Sequence, residues 1–181
     1  KLKKIPITDF LIPIDLQEEI REFASNPDSK SAYFSNKIKD KLADWATIPE
    51  QDRLSWLGRY ICRLNNYQIP LTRRVQEFSN ECYAQLGITV KKELILGNFI
   101  HINEPQSFVQ KHTDLLSVNG EWHVRLNFII QKPEIGGKIL IEETEFEVEE
   151  RSSWINFASQ WEHSCSTVYG NKDRIILSLG T

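Results

Sequence analysis

Beyond Glu93 the chain breaks into short runs in which apolar and polar residues alternate or β-branched residues cluster: ELILGNFIHI, SFVQKH, WHVRLNFII, KILIE, EFEVE, SWINF, HSCSTV and RIILSLG. Alternation at period two sends every second side chain to the same face, as in strands with one buried side. Turn residues punctuate the runs at Asn103-Glu104-Pro105, Asn119-Gly120, Pro133 with Gly136-Gly137, and Gly170-Asn171-Lys172. Up to eight short strands in the 89 residues from Glu93 to Thr181 predict a jelly roll or a related small barrel.

The first half has a different period. Asp15 to Ala24 and Thr72 to Leu86 place apolar residues three and four apart, and Gly87 supplies a helix stop after the second. Ser35 to Ala46 and Asp52 to Leu64 also read as helices, separated by the break at Ile48-Pro49-Glu50. The helices are expected to cover the outer face of one sheet. That makes an α+β single domain over 1–181, with 1–92 a mainly helical supporting layer and 93–181 the β core.

At 181 residues a chain buries enough surface to hold a core without metal or disulfide staples, so any metal is expected to serve function. Three cysteines, Cys62, Cys82 and Cys165, form no CxxC and cannot all pair, which suits a reducing compartment. No run of about 18 apolar residues occurs, and Lys1-Leu2-Lys3-Lys4 is followed by Pro6, Asp9 and Pro13 instead of an apolar stretch. A cytoplasmic protein with no membrane partner is the expectation. The net charge of -3 divides unevenly: Glu93 to Thr181 holds 7 Lys+Arg against 13 Asp+Glu, leaving 15 against 12 in the first 92 residues. An acidic β half argues against nucleic acid as a partner, because phosphate contacts demand a basic face.

The chemistry concentrates in His112-Thr113-Asp114 and in His163, 49 positions after Asp114. In a strand, residues i and i+2 share a face, so His112 and Asp114 can offer an imidazole nitrogen and a carboxylate oxygen to one ion. A second imidazole from a distant strand completes three ligands on one side. Two His and one carboxylate with open positions form the facial triad of non-haem Fe(II) oxygenases. In the last run, Ile175, Leu177 and Leu179 make an apolar face, leaving Arg174, Ile176 and Ser178 on the other. An arginine turned into a small barrel needs an anion, and its planar fork matches a carboxylate.

Taken together, His112, Asp114, His163 and Arg174, eleven residues after His163, resemble the Fe(II)/2-oxoglutarate-dependent oxygenase superfamily, in particular its small prolyl-hydroxylase-like members. The pattern there is HxD, a distal His and a basic residue roughly ten positions on. The resemblance covers Glu93 to Thr181 and includes the Gly136-Gly137-Lys138-Ile139-Leu140 turn. It implies a double-stranded β-helix, a jelly-roll or cupin-like barrel. It also implies Fe(II) on His112, Asp114 and His163, and 2-oxoglutarate with its far carboxylate on Arg174, with Ser178 on the same face. O2 would be the oxidant and ascorbate an optional reductant. A hydroxylase is expected, since halogenating relatives lack the carboxylate that Asp114 supplies; desaturation and ring formation use the same ligands and stay open. No catalytic residue beyond the metal centre is implied.

The run from Trp122 to Ile130 adds an independent reading. Trp122, Val124, Leu126, Phe128 and Ile130 suit the helix-covered exterior. His123, Arg125, Asn127 and Ile129 are left facing the interior, a polar set expected where small anions bind. Arg125 and Asn127 are thus candidates for a 2-oxoglutarate or a substrate carboxylate, and His123, Trp154 and Trp161 for the substrate pocket. The plainer competitors are satisfied structural histidines for His101 and His123, a cross-strand ion pair for Arg125, and a pair with Glu162 or Asp173 for Arg174. For Cys165 the competitor is a small buried thiol, and for the tryptophans, core packing. The run Glu142 to Glu150 reads as a hairpin with a solvated acidic face. The loop from Leu115 to Glu121 and the N-terminal helices are expected to shape the entrance.

The substrate classes expected are an amino acid, a peptidyl residue or a small metabolite. A cupin-like metal enzyme that needs no 2-oxoglutarate, and a non-catalytic jelly-roll binding module, are the alternatives. Oligomeric state leaves no mark in the sequence.

Overall fold

Residues Ile14–Ser25 (α1) and Pro70–Leu86 (α3) form the helices that the apolar spacing predicts. In α1, Leu16, Ile20 and Ala24 are buried at four-residue intervals. In α3, Pro70 sits in the first turn, where its missing N–H costs nothing, and Gly87 closes the helix in the left-handed conformation with φ 69°. A short helix, α2 (Pro27–Tyr33), follows α1, its first amides capped by the Asn26 side chain. These features belong to a computed structural model that describes residues 2–36, 50, 54–89, 97–114 and 123–180.

The strands are β1 (Ile7–Thr8), β2 (Arg59–Arg63), β3 (Asn98–Asn103), β4 (Val109–His112), β5 (Val124–Gln131), β6 (Ile135–Gly136), β7 (Ile139–Ile141), β8 (Thr144–Phe146), β9 (Ser153–Phe157), β10 (His163–Cys165), β11 (Val168–Tyr169) and β12 (Arg174–Gly180). They make a major sheet in the order β1-β9-β5-β12-β3-β2, a minor sheet β4-β10-β7-β8 and a pair β11-β6, all antiparallel.

Alternation in β5 and β12 divides the molecule as the sequence predicts. Leu126, Phe128, Ile130, Ile175, Leu177 and Leu179 pack outward with Leu16, Ile20, Leu71, Val75, Cys82 and Tyr83 of the helices in the main core. Full burial of such aliphatic and Phe side chains contributes about 1.5–3 kcal/mol each. A smaller cluster of Ile129, Ile139, Ile141, Phe146, Val148, Trp154 and Ile176 joins the two sheets at their inner faces. Between the sheets lies the cavity that carries the polar residues.

One expectation is overturned. The stretch from Asp52 to Leu64, read as a helix, contains the edge strand β2, with Leu64 opening a 3-10 turn. Leu54, Leu57, Ile61 and Leu64 are spaced three and four apart, which mimics a helix face. The same stretch also alternates, with Arg59, Ile61 and Arg63 against Tyr60 and Cys62, and pairing with β3 decides for the strand. The other helical reading begins at Ser35, which instead bridges Ile61 of β2; residues 37–46 lie outside the described residues. So do the loop 115–121 and Trp122. The run HSCSTV also divides, into β10 and β11 in different sheets.

Candidate metal centre

His112 ends β4 and His163 begins β10, and the two are direct partners across the antiparallel pair. Their ring centroids lie 4.4 Å apart. Asp114 falls just past the end of β4, where its backbone N–H donates to the carbonyl of Ala158 at 2.8 Å. Its Oδ1 lies 3.2 Å from Nε2 of His112 and 3.6 Å from Nε2 of His163. One ligand atom from each of the three residues falls within a span of 4.8 Å.

Both rings are oriented by their far nitrogen. Nδ1 of His112 donates to the Gln110 carbonyl at 2.7 Å, and Nδ1 of His163 donates to the Trp161 carbonyl at 2.8 Å. A carbonyl only accepts, so in the neutral ring the proton sits on Nδ1 and the Nε2 lone pair faces Asp114. Two imidazole lone pairs and one carboxylate oxygen on one side, each imidazole fixed by a second hydrogen bond, fit a divalent transition metal with open positions. Burial on its own pushes the Asp114 carboxyl up, but hydrogen bonds from His112, when its Nε2 also carries a proton, and from His123, with His163 nearby, hold it well below the usual carboxylate range. The hydrogen bond with Asp114 raises the His112 imidazole, while burial lowers His163.

The cavity beside these residues has a volume of about 890 Å³. Ile139, Ile141, Trp154 and Ile176 give it apolar walls, and Arg59, Arg125 and Arg174 line it as well. All three arginines are buried, and among the described residues none is paired with a carboxylate. Among those residues Arg174 gives one hydrogen bond, from NH1 to Asn103 Oδ1 at 3.3 Å, and its Nε is buried without a partner. Gly137 keeps room for it: a Cβ there would lie 2.9 Å from Arg174 Cδ. Arg59 donates to His101 Nε2 at 3.2 Å and to the Ser55 carbonyl at 3.2 Å, with its guanidinium 4.2 Å from the Trp56 ring centroid.

Ser178 and Asn127 are direct partners across β12 and β5, and both line the cavity. Trp154 lines it and also packs in the inner core. Trp161, expected in the pocket, stands edge-on to Phe157 at 4.8 Å and is absent from the cavity wall; its contribution is the carbonyl that orients His163. His123 contacts Asp114 Oδ2 and Arg125, and Arg125 lies at the opposite end of the β5 and β12 pair from Arg174. Arg59, Asn103 and the bond from Arg59 to His101 escape the sequence reading. Alternation of Arg59, Ile61 and Arg63 is the available signal, masked by the competing helical spacing.

No protein-family profile and no curated protein sequence matches the chain. Solved structures do. A prolyl-4-hydroxylase from Pseudomonas putida superposes with a TM-score of 0.62 at 14% identity, over 98% of this chain and 92% of that one. A prolyl hydroxylase from Trichoplax adhaerens, in complex with a hypoxia inducible factor peptide fragment, gives 0.64 at 11% identity over 96% and 81%. HygX from Streptomyces hygroscopicus, with nickel, 2-oxoglutarate and hygromycin B bound, gives 0.59 at 11% over 96% and 80%. Across nearly its whole length this chain therefore has the fold of the 2-oxoglutarate/Fe(II) oxygenases and prolyl hydroxylases, a double-stranded β-helix, and it carries a His-Asp-His triad inside it.

Proposed function

We propose that the protein is an Fe(II)/2-oxoglutarate-dependent dioxygenase that hydroxylates an unactivated C–H bond of an amino acid, a peptidyl residue or a small metabolite. One observation carries the reading: the triad of His112, Asp114 and His163 shares its cavity with Arg174, a cation 3% exposed with no carboxylate partner among the described residues. With a single hydrogen bond to the protein among those residues, against two each for Arg59 and Arg125, this guanidinium is costly to bury unless an anion meets it.

His112, Asp114 and His163 would hold the iron, which with 2-oxoglutarate and O2 supplies the oxidising power that yields succinate, CO2 and an oxygenated substrate. Arg174 binds the far carboxylate of the co-substrate and so sets how deep the oxo-acid sits. Ser178 and Asn127, on the same inner face, offer further hydrogen bonds to it. Ile139, Ile141, Trp154 and Ile176 line the space between with apolar surface, beside which a polar contact is stronger than in bulk water. Arg125 has two of its three nitrogens engaged by the protein, which supports a holding role for it over a carboxylate site. The structural likeness to a prolyl hydroxylase in complex with a peptide supports a peptidyl residue among the substrate classes.

The test mixes purified protein anaerobically with Fe(II) and 2-oxoglutarate and follows the metal-to-ligand absorption band, then succinate release in air. Growth of the band upon adding 2-oxoglutarate is expected. Protein that binds iron yet gives no band, and turns over a substrate without 2-oxoglutarate, would point to a cupin-type enzyme; protein that binds no metal would point to a binding module.

A further inference from the structure

We infer that His123 and Arg125 form a hydrogen-bonded tether that fixes the carboxylate of Asp114, turning Oδ1 towards the two ligand histidines and holding Oδ2 away. The inference rests on the iron site proposed above and assigns positioning roles to two residues outside the triad.

The two oxygens of Asp114 have separate partners. Oδ1 faces Nε2 of His112 and of His163, whereas Oδ2 lies 3.1 Å from Nδ1 of His123. Arg125 then decides what His123 can do. Its Nε donates to His123 Nε2 at 2.8 Å, and a guanidinium is a donor only. Nε2 must therefore accept, which places the ring proton on Nδ1 and makes it a donor to Oδ2. The backbone of His123 is held as well, its N–H donating to Ser159 Oγ at 2.8 Å.

Arg125 is anchored on its remaining sides. NH1 donates to the Gly97 carbonyl at 2.7 Å, and the guanidinium sits over Phe99, 3.9 Å from the ring centroid. Its neighbour across β12 is Gly180, where a Cβ would collide with NH1, so no larger residue fits beside it. NH2 is buried with no partner among the described residues, and Arg125 is 5% exposed. A cation buried at such cost, with Nε and NH1 both engaged by the protein, is built to hold something in place. What it holds is the imidazole that holds Asp114. A carboxylate kept from rotating presents one oxygen to the metal and leaves the other positions open for ligands.

The test measures affinity for Fe(II), and separately for Co(II), in the absence of 2-oxoglutarate and O2, by competition with a chromogenic chelator. His123→Leu and Arg125→Met are each expected to raise the dissociation constant, by about 10–100-fold for His123→Leu. His123→Asn, whose side-chain amide places an N–H near the position of Nδ1, is expected to stay within a few-fold of the parent and to keep the parent's Co(II) visible spectrum. That rescue separates a positioning role from general loosening, and thermal unfolding of each variant reports whether the fold survives. Parent-like affinity and Co(II) spectrum in His123→Leu would overturn the inference, as would equal losses in His123→Leu and His123→Asn with intact folds. Failure of the parent protein itself to bind metal would overturn the iron site beneath it.

Discussion

Arg59 and Arg174 stand in one register row of the major sheet, with only Asn103 of β3 between them, and both line the cavity that holds the triad. Two strand spacings separate their Cα atoms, about 10 Å, within which two long side chains can close on one carboxylate. Burial above all, with Arg174 adding to it, pushes the Arg59 guanidinium down to about 10, which leaves it cationic at physiological pH. Two buried like charges in one row are a standing electrostatic cost that a dianion removes.

Affinity for 2-oxoglutarate is therefore expected to fall in both Arg59→Met and Arg174→Met. A charge-assisted hydrogen bond is worth about 1.5–3 kcal/mol, or roughly 10–150-fold in Kd. Titration of the Fe(II) or Co(II) protein with 2-oxoglutarate measures this directly. Metal affinity should hold in both variants, because neither arginine bonds to the triad. Loss of iron on replacing Arg174 would contradict that division of labour.

Removal of a ligand should give the opposite pattern. His163→Ala deletes one of three donors and is expected to weaken Fe(II) binding by more than the 10–100-fold typical of an outer partner, roughly a hundredfold or beyond. The 2-oxoglutarate absorption band should vanish with it. Chelator competition and anaerobic titration check the two effects in the same sample.

Relief of the buried charges should also appear as stability. At a 2-oxoglutarate concentration about a hundred times its Kd the gain is about 2.7 kcal/mol, which for a domain of this size raises Tm by roughly 5–10 °C. Thermal scans with metal and 2-oxoglutarate, against an equal concentration of acetate, measure it. An equal shift in acetate would mean that the second carboxylate contributes nothing.

The inner and outer faces are legible in sequence because strand alternation leaves no freedom: once β5 and β12 alternate, one face meets the helices and the other the cavity. Arg174, Ser178, Arg125 and Asn127 turn inward on that ground alone. What Arg125 does there is not legible, since its partners Gly97 and Phe99 come from another strand and its loop, and His123 offers two nitrogens whose roles only the neighbours settle. Arg59 is hidden for a different reason. Leu54, Leu57, Ile61 and Leu64 satisfy a helical spacing, and the competing strand pattern wins only through hydrogen bonds to β3, a contact remote in sequence.

Burial of the thiols gives stability a pH dependence in the alkaline range. Burial raises both Cys62 and Cys82 from the ordinary 9 to about 12. Below about pH 9 both thiols are protonated whether the chain is folded or not, and their contribution is fully present; above it the unfolded chain loses these protons first, so stability falls as pH rises towards about 12. Urea unfolding at about pH 8 and about pH 10.5 should show the decline, smaller in Cys82→Ala than in the parent. Native protein near neutral pH should likewise leave both thiols unmodified by a thiol reagent until urea exposes them.

Tyr83 ties the helical layer to the sheet that carries Arg174. Its ring is buried in the main core, and its hydroxyl donates to the Leu179 carbonyl at 2.7 Å on β12. Tyr83→Phe keeps the ring and removes one buried hydrogen bond, so the expected loss is about 1 kcal/mol of unfolding free energy, up to about 3 if the carbonyl is left without a partner. Urea midpoints measure it. Because Tyr83 belongs to the main core and does not line the cavity, the Kd for metal should not change and that for 2-oxoglutarate should move by less than about threefold, or roughly 0.6 kcal/mol. A larger loss of 2-oxoglutarate affinity would mean that helix α3 sets the position of β12, and with it the depth at which Arg174 meets its carboxylate.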